Sequence, residues 1–266
     1  MVDVSWVAAL LPLAVAGFVV GALVGLTGVG GGALMTPLLI SSFGVPPQVA
    51  VGTDLLYAAV TKSFGGWRHH VADPIVWPIV LRLAAGSLPA ALVLLAILTF
   101  VPMNTAAVAN WIRFGLAFAL PLSALAIVLY PWLIRTKEHK TDGKLKDRTL
   151  VTVLFSVMLG LLVTLTSVGT GAIGVAVLAA LYPLLAAKRI VGSDIAHAVP
   201  LTFVGGFGYL GLGHVDIGLL LALLVGSIPG IILGARLAGI VPEWILRPIL
   251  AVTLCYAAYA LFNKSH

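Results

Sequence analysis

Two acids stand in otherwise apolar runs of this chain, each closing a four-residue motif: Val51-Gly-Thr-Asp54 and Val191-Gly-Ser-Asp194. A carboxylate within a membrane segment costs at least about 2.5 kcal/mol, so it is a functional candidate by default. Two such acids can carry protons coupled to the movement of an ion. They can equally cap helices, because each follows Gly-Thr or Gly-Ser near an expected helix start. His197 lies three residues after Asp194, where the pair can form a proton relay or a satisfied buried hydrogen bond. Lys62 lies eight residues after Asp54, about 12 Å along a helix at about 1.5 Å per residue, too far for direct pairing. It either attracts an anion or snorkels to the membrane surface.

Five glycines fall within eight residues in Gly25 to Gly32, inside the stretch GLTGVGGGALMTPLL. Each glycine destabilises a helix interior by roughly 1 kcal/mol relative to Ala, and a cluster breaks the helix. Broken backbone within a membrane is tolerated only against protein or a water-filled cavity. A helix that restarts after such a break presents free N–H groups and roughly half a unit of positive charge, which favours an oxyanion. Gly28, Gly30, Gly31 and Gly32, with Thr53, are therefore candidate substrate-binding residues. Gly169, Thr170, Gly171 and Ser193 form a second such set. The competing explanation is close helix packing through small residues, which we take for Gly17 with Gly21 and for Gly205 with Gly206. Arg82, Arg113, Arg236 and Arg247 lie toward segment ends, where arginines snorkel. Arg82 is the deepest, and the one retained as a possible substrate contact. Trp67, Trp77, Trp111, Trp132 and Trp244 stand near segment ends, as interfacial anchors do.

The elements that must position these groups follow from composition. Charged residues make up 9% of the chain and hydrophobic ones 61%, against roughly 25% charged in a soluble domain. The class is an all-α integral membrane protein. Its apolar runs number about ten: 6–26, 32–43, 49–66, 75–99, 108–133, 149–167, 172–186, 192–210, 216–238 and 243–262. The second and seventh are short, as half-penetrating or tilted helices are. The first is read as a retained span, since Asp3 and the missing basic stretch do not suit a cleaved signal. Cys255, the one cysteine, excludes an internal disulfide and is expected to be a small core residue.

Much of the net charge of +6 sits in the stretch Arg135 to Arg148, between two hydrophobic blocks. That is a cytoplasmic loop by the positive-inside rule rather than a nucleic-acid site. With ten crossings, Lys188, Arg189 and Arg236 fall on the same side. No cofactor or metal is expected; the expected partners are a small anionic substrate and the lipid bilayer.

The chain also repeats at an offset of 140 residues. Val51-Gly-Thr-Asp54 falls on Val191-Gly-Ser-Asp194, Gly65-Gly66 on Gly205-Gly206, and Gly86-Ser-Leu-Pro89 on Gly226-Ser-Ile-Pro229. Thr27 to Gly31 falls on Ser167 to Gly171. We therefore expect an N-terminal repeat over 1–134, the basic loop over 135–148 and a C-terminal repeat over 149–266. Five spans per repeat is an odd number, so the repeats should be inverted, as in many secondary transporters.

Gly28-Val-Gly-Gly-Gly32 followed by Pro37-Leu-Leu, then Val51-Gly-Thr53 and the weaker copies at Gly171 and Val191-Gly-Ser193, resemble the TauE/SafE family of membrane permeases, the sulfite exporter group. The resemblance covers essentially the whole chain, and length, duplication and basic loop agree with it. It implies movement of a sulfur-containing or related organic anion across a bacterial inner membrane, often outward. Position 54 departs from the family pattern, where a small or hydroxyl residue is expected. The leading expectation is a secondary transporter of sulfite or a small organosulfonate, proton-coupled through Asp54, Asp194 and His197. The alternatives are a membrane enzyme acting on a lipid or sulfur compound, for which Ser193, Asp194 and His197 are thin support, and a passive anion channel.

Overall fold

The computed structural model describes residues 4–27, 32–70, 75–101, 104–135, 148–237 and 243–263. Among them are ten helices: α1 (Val4–Thr27), α2 (Gly32–Ser42), α3 (Pro47–His70), α4 (Trp77–Phe100), α5 (Thr105–Arg135), α6 (Thr149–Thr166), α7 (Ala172–Leu181), α8 (Ala187–Gly211), α9 (Ile217–Leu237) and α10 (Glu243–Asn263). Each expected apolar run coincides with one helix. Among the described residues, five helices, α4, α5, α6, α8 and α9, are long and apolar enough to cross a membrane on their own. As expected, α2 and α7 are short, at 11 and 10 residues.

The exterior is apolar. Leu81, Phe100, Phe114, Val225 and Val252 are each at least 66% exposed, forming a surface that only lipid can cover without penalty. Trp77, Trp111 and Trp132 are exposed on it. Cys255 is exposed as well, contrary to the core position expected of it. Its apolar run marked the helix as buried in something, and on this face that something is lipid rather than protein.

α3 and α8 pack against each other in the centre. Residues 50–59 of α3 are all buried, which lets this helix carry polar groups that a lipid-facing helix could not. Around the pair, α1 packs on α9 and α4 on α6, α4 touches α8 and α3 touches α9, and α5 lies against α10. Small residues make these contacts close. Gly17, Gly21 and Gly25 abut the backbone of Leu223, Ser227 and Ile231, while Gly226, Gly230 and Gly234 abut Ala14, Phe18 and Ala22. An added Cβ at any of them would run into the facing backbone. Gly206 meets Leu56, its backbone nitrogen included, and Gly205 meets the Leu55 side chain, so these glycines serve packing.

Candidate functional site

The second glycine break is fully described. α6 ends at Thr166, and Ser167 caps it in the left-handed region with φ 61°. Gly169 and Gly171 have φ 134° and 101°, values that a side chain would strain. The chain then turns into α7 at Ala172, with the Gly174 N–H donating to the Gly169 carbonyl at 3.0 Å. Gly28, Gly30 and Gly31 of the first break lie outside the described residues. Gly32 is the first residue of α2.

Two acids and one lysine converge on this region. Asp194 takes the Gly171 N–H on Oδ2 at 2.8 Å, so its carboxylate occupies the free amide at the start of α7. Its Oδ1 fills the space where a Cβ on Gly174 would lie. Asp54 accepts from the Thr36 hydroxyl of α2 at 2.5 Å, and the Ser167 side chain lies close to it. Lys62 is 6% exposed and donates from Nζ to the Thr170 hydroxyl. Its charge acts on both carboxylates. The snorkelling alternative for Lys62 is therefore overturned. α3 is enclosed by protein along this stretch, and the side chain reaches inward to the break.

Among the described residues, buried atoms without a hydrogen-bond partner include Asp54 Oδ1, Ser167 Oγ and Asp194 Oδ1 at the break, and His197 Nδ1 farther along α8. Buried polar atoms are rarely left so, and groups that are point to a site that binds or moves something. At the break, a cavity of about 20 Å³ is lined by Thr27, Ser123, Gly169 and Thr170, enough for a single water. A larger cavity of about 240 Å³ reaches Gly171 and Ala172.

The other expected residues have different partners. His197 does not pair with Asp194; its Nε2 meets the Ser87 hydroxyl of α4 at 2.7 Å. Thr53 accepts the Asp216 N–H just before α9 at 3.1 Å. Ser193 accepts the Val76 N–H just before α4 at 3.0 Å and donates to the Arg189 carbonyl at 2.7 Å. Both hydroxyls thus tie the central helices to the starts of their neighbours. The guanidinium of Arg82 donates to Tyr182 at 3.3 Å, and Tyr182 also meets Thr152 at 2.7 Å. That ties Arg82 of α4 to the end of α7, where α6 also joins.

Sequence reasoning missed Thr36, Tyr57, Ser87 and Ser227. Tyr57 meets Ser227 of α9 at 2.8 Å. The signal was available: Ser87 and Ser227 are the serines of the two Gly-Ser-x-Pro motifs, and Tyr57 and His197 each lie three residues after an aspartate.

An apolar exterior, a broken helix inside it and buried charge gathered at the break define a multi-pass membrane transporter. The family model for the sulfite exporter TauE/SafE matches residues 13–261. This chain belongs to the TauE/SafE family. It is 39% identical over 235 residues to the probable membrane transporter protein YjnA of Bacillus subtilis, covering 88% of this chain and 91% of that one. It is 30% identical over 250 residues to the probable membrane transporter protein MJ0441 of Methanocaldococcus jannaschii, covering 86% of each. YdhB, another probable membrane transporter of B. subtilis, is 27% identical over 248 residues, covering 92% of this chain and 96% of that one. No solved structure matches. As a member of a transporter family, the protein is not an enzyme, and the enzyme alternative falls.

Proposed function

We propose that the protein moves a small sulfur-containing anion, sulfite or an organosulfonate, by proton-coupled alternating access, outward across a bacterial inner membrane with the 135–148 loop inside. The observation that carries this reading is the Asp194 carboxylate on the Gly171 N–H, beside Thr170 and its bond from Lys62. A carboxylate there is an internal stand-in for the anion. It takes the free amide at the start of α7, where an oxyanion would bind. For substrate to take the amide, Asp194 must leave it, and a proton on the carboxyl weakens its hold. Anion binding and proton uptake are then one exchange at one group. Asp54 is held by Thr36 and acts as the corresponding group for the first break, whose Gly28, Gly30 and Gly31 complete the site.

The inverted-repeat reading has support in a set of crossed contacts. Thr53 bonds Asp216 and Ser193 bonds Val76; each member of one pair lies 140 residues from its mate in the other. Tyr57 with Ser227, and His197 with Ser87, follow the same rule. Helix pairs correspond too: α1 on α9 matches α6 on α4, and α3 on α9 matches α8 on α4. Each half therefore braces the central helix of the other, the arrangement that rocking of one half against the other would use.

The test is sulfite uptake into proteoliposomes with and without an imposed pH gradient, for wild type, Asp54→Asn and Asp194→Asn. Saturable, gradient-driven flux lost in either variant supports coupled transport. Saturable flux indifferent to gradient and substitution removes the coupling, and unsaturable flux leaves a passive channel.

A further inference from the structure

The end of α6 gathers buried oxygen atoms that accept from nothing. Asp54 and Ser167 are 0% and 2% exposed. Oδ2 of Asp54 is taken by the Thr36 hydroxyl of α2, while Oδ1 has no hydrogen-bond partner among the described residues. Ser167 Oγ lies close to this carboxyl and has none either. Two oxygens brought together without a hydrogen bond between them act as a pair of acceptors, and a positive charge satisfies such a pair. One turn earlier on α6, Thr164 Oγ1 is buried and unpartnered as well among the described residues.

The backbone adds to the same polarity. Ser167 closes α6 with φ 61°, its N–H donating to the Val163 carbonyl at 2.7 Å. The Val168 N–H, next along the ladder, turns instead to the Thr166 hydroxyl at 3.1 Å. The ladder stops there, and the carbonyls after Val163 lose their helical partners. A helix end of this kind carries roughly half a unit of negative charge. In broken membrane helices the carbonyl end suits a sodium ion, as the amide end of the restarted helix suits an anion. Here the amide end at Gly171 already has a negative partner in Asp194. The carbonyl end has Asp54, an acid beside a negative pole. Buried charges are paired or hold a metal ion, and the nearby ammonium of Lys62 is given to Thr170, beyond the α6 end.

We infer that Asp54 Oδ1, Ser167 Oγ and the last carbonyls of α6 bind a sodium ion. A single carboxylate among neutral oxygens suits a hard monovalent cation. Calcium takes about six to eight oxygens, with carboxylates prominent among them, and Lys62 opposes a second positive charge in the same place. The close approach of the two side chains favours sodium over the larger potassium ion. Such a site stands apart from the exchange proposed at Asp194, and sodium can occupy it whatever anion the protein moves.

The experiment measures binding of labelled sodium to the detergent-solubilised full chain without any transported anion, together with thermal unfolding in sodium, potassium or choline chloride at equal ionic strength. Sodium should bind saturably and raise the unfolding temperature as its concentration passes the dissociation constant, with little response to potassium or choline. Asp54→Asn should abolish the response. Ser167→Gly removes the hydroxyl while suiting φ 61°, so it should fold at least as well as the wild type yet bind sodium at least about tenfold more weakly. Thr202→Ala, which removes a hydroxyl already bonded within α8, should keep the wild-type sodium affinity. Absence of saturable sodium binding overturns the site, as does an equal response to all three salts. Sodium binding of wild-type strength in both Asp54→Asn and Ser167→Gly also overturns it, since the ion then sits elsewhere. None of these results bears on anion flux, whose loss in proteoliposomes would in turn leave the sodium site standing.

Discussion

Replacing Asp194 with Asn separates the carboxylate's shape from its charge. The amide oxygen can still accept the Gly171 N–H that now lies 2.8 Å from Oδ2. The bond changes from charge-assisted to neutral, a loss of about 1 kcal/mol or roughly fivefold. The other amide atom faces Gly174, where Oδ1 has no hydrogen-bond partner among the described residues, so the variant should fold with a modest fall in thermal stability. The functional consequence is larger. In the wild type, an anion that displaces ionised Asp194 leaves the carboxyl to take up a proton. By linkage, uptake of one proton on binding makes affinity rise as pH falls, by about tenfold per pH unit wherever Asp194 is ionised in the free protein. The Asn variant cannot take up that proton, so its affinity should be flat over the same range. The assay is binding and proteoliposome flux of a sulfonate, whose own charge does not change near neutrality, across a pH series. A steep wild-type dependence that persists in Asp194→Asn would refute the exchange at Gly171. A flat wild-type profile would refute proton linkage altogether.

Lys62→Met removes the buried donor to the Thr170 hydroxyl at the break. Loss of a buried hydrogen-bond partner costs about 1–3 kcal/mol, so unfolding temperature and flux should both fall, the first read by thermal unfolding and the second in proteoliposomes. Thr53→Val and Ser193→Ala each remove one hydrogen bond to a neighbouring helix start. Each should cost about 1 kcal/mol, read as an unfolding temperature a few degrees lower, while transport kinetics stay as in the wild type. A change in substrate affinity would return these hydroxyls to the binding site. Gly174→Ala places a Cβ on Asp194 Oδ1 and should abolish flux with the protein still inserted. Gly211→Ala, with nothing within 4 Å of the new atom, should be indistinguishable from wild type in the same vesicles.

The crossed contacts also bear on how the motif Val-Gly-Thr/Ser-Asp is used. At Gly52 the glycine lets a neighbouring segment come close, with the His214 carbonyl and Tyr209 against it, whereas an added Cβ at Gly192 would meet only Ile75, at 4.0 Å. The hydroxyl holds the start of a helix in the other half, and the acid serves the short helix of its own half. Four adjacent residues thus join three elements. Substitutions within the motif should therefore differ in kind, affecting closeness of packing, stability and transport in turn.

Ten apolar runs became ten helices because hydropathy records which stretches cannot face water, and that is a local property of the chain. The breaker glycines were legible for a similar reason: Gly169 and Gly171 need backbone angles that other residues resist. The acids stood out as charge in an apolar setting, each at the end of a Val-Gly-Thr/Ser-Asp motif. What the sequence left open were the partners. Thr53 and Asp216 are 163 residues apart and Ser193 and Val76 are 117 apart, distances over which no helical period carries information. Lys62 could equally have pointed outward, until packing enclosed α3. Cys255 was read as core because an apolar run does not distinguish lipid from protein as its neighbour, and only the position of α10 at the edge decided it. The larger cavity arises in the same way, since Tyr130, Lys188 and Arg247 line it together only when α5, α8 and α10 assemble. Local chemistry is written along the chain; the pairing of that chemistry depends on close packing between helices that are distant in sequence.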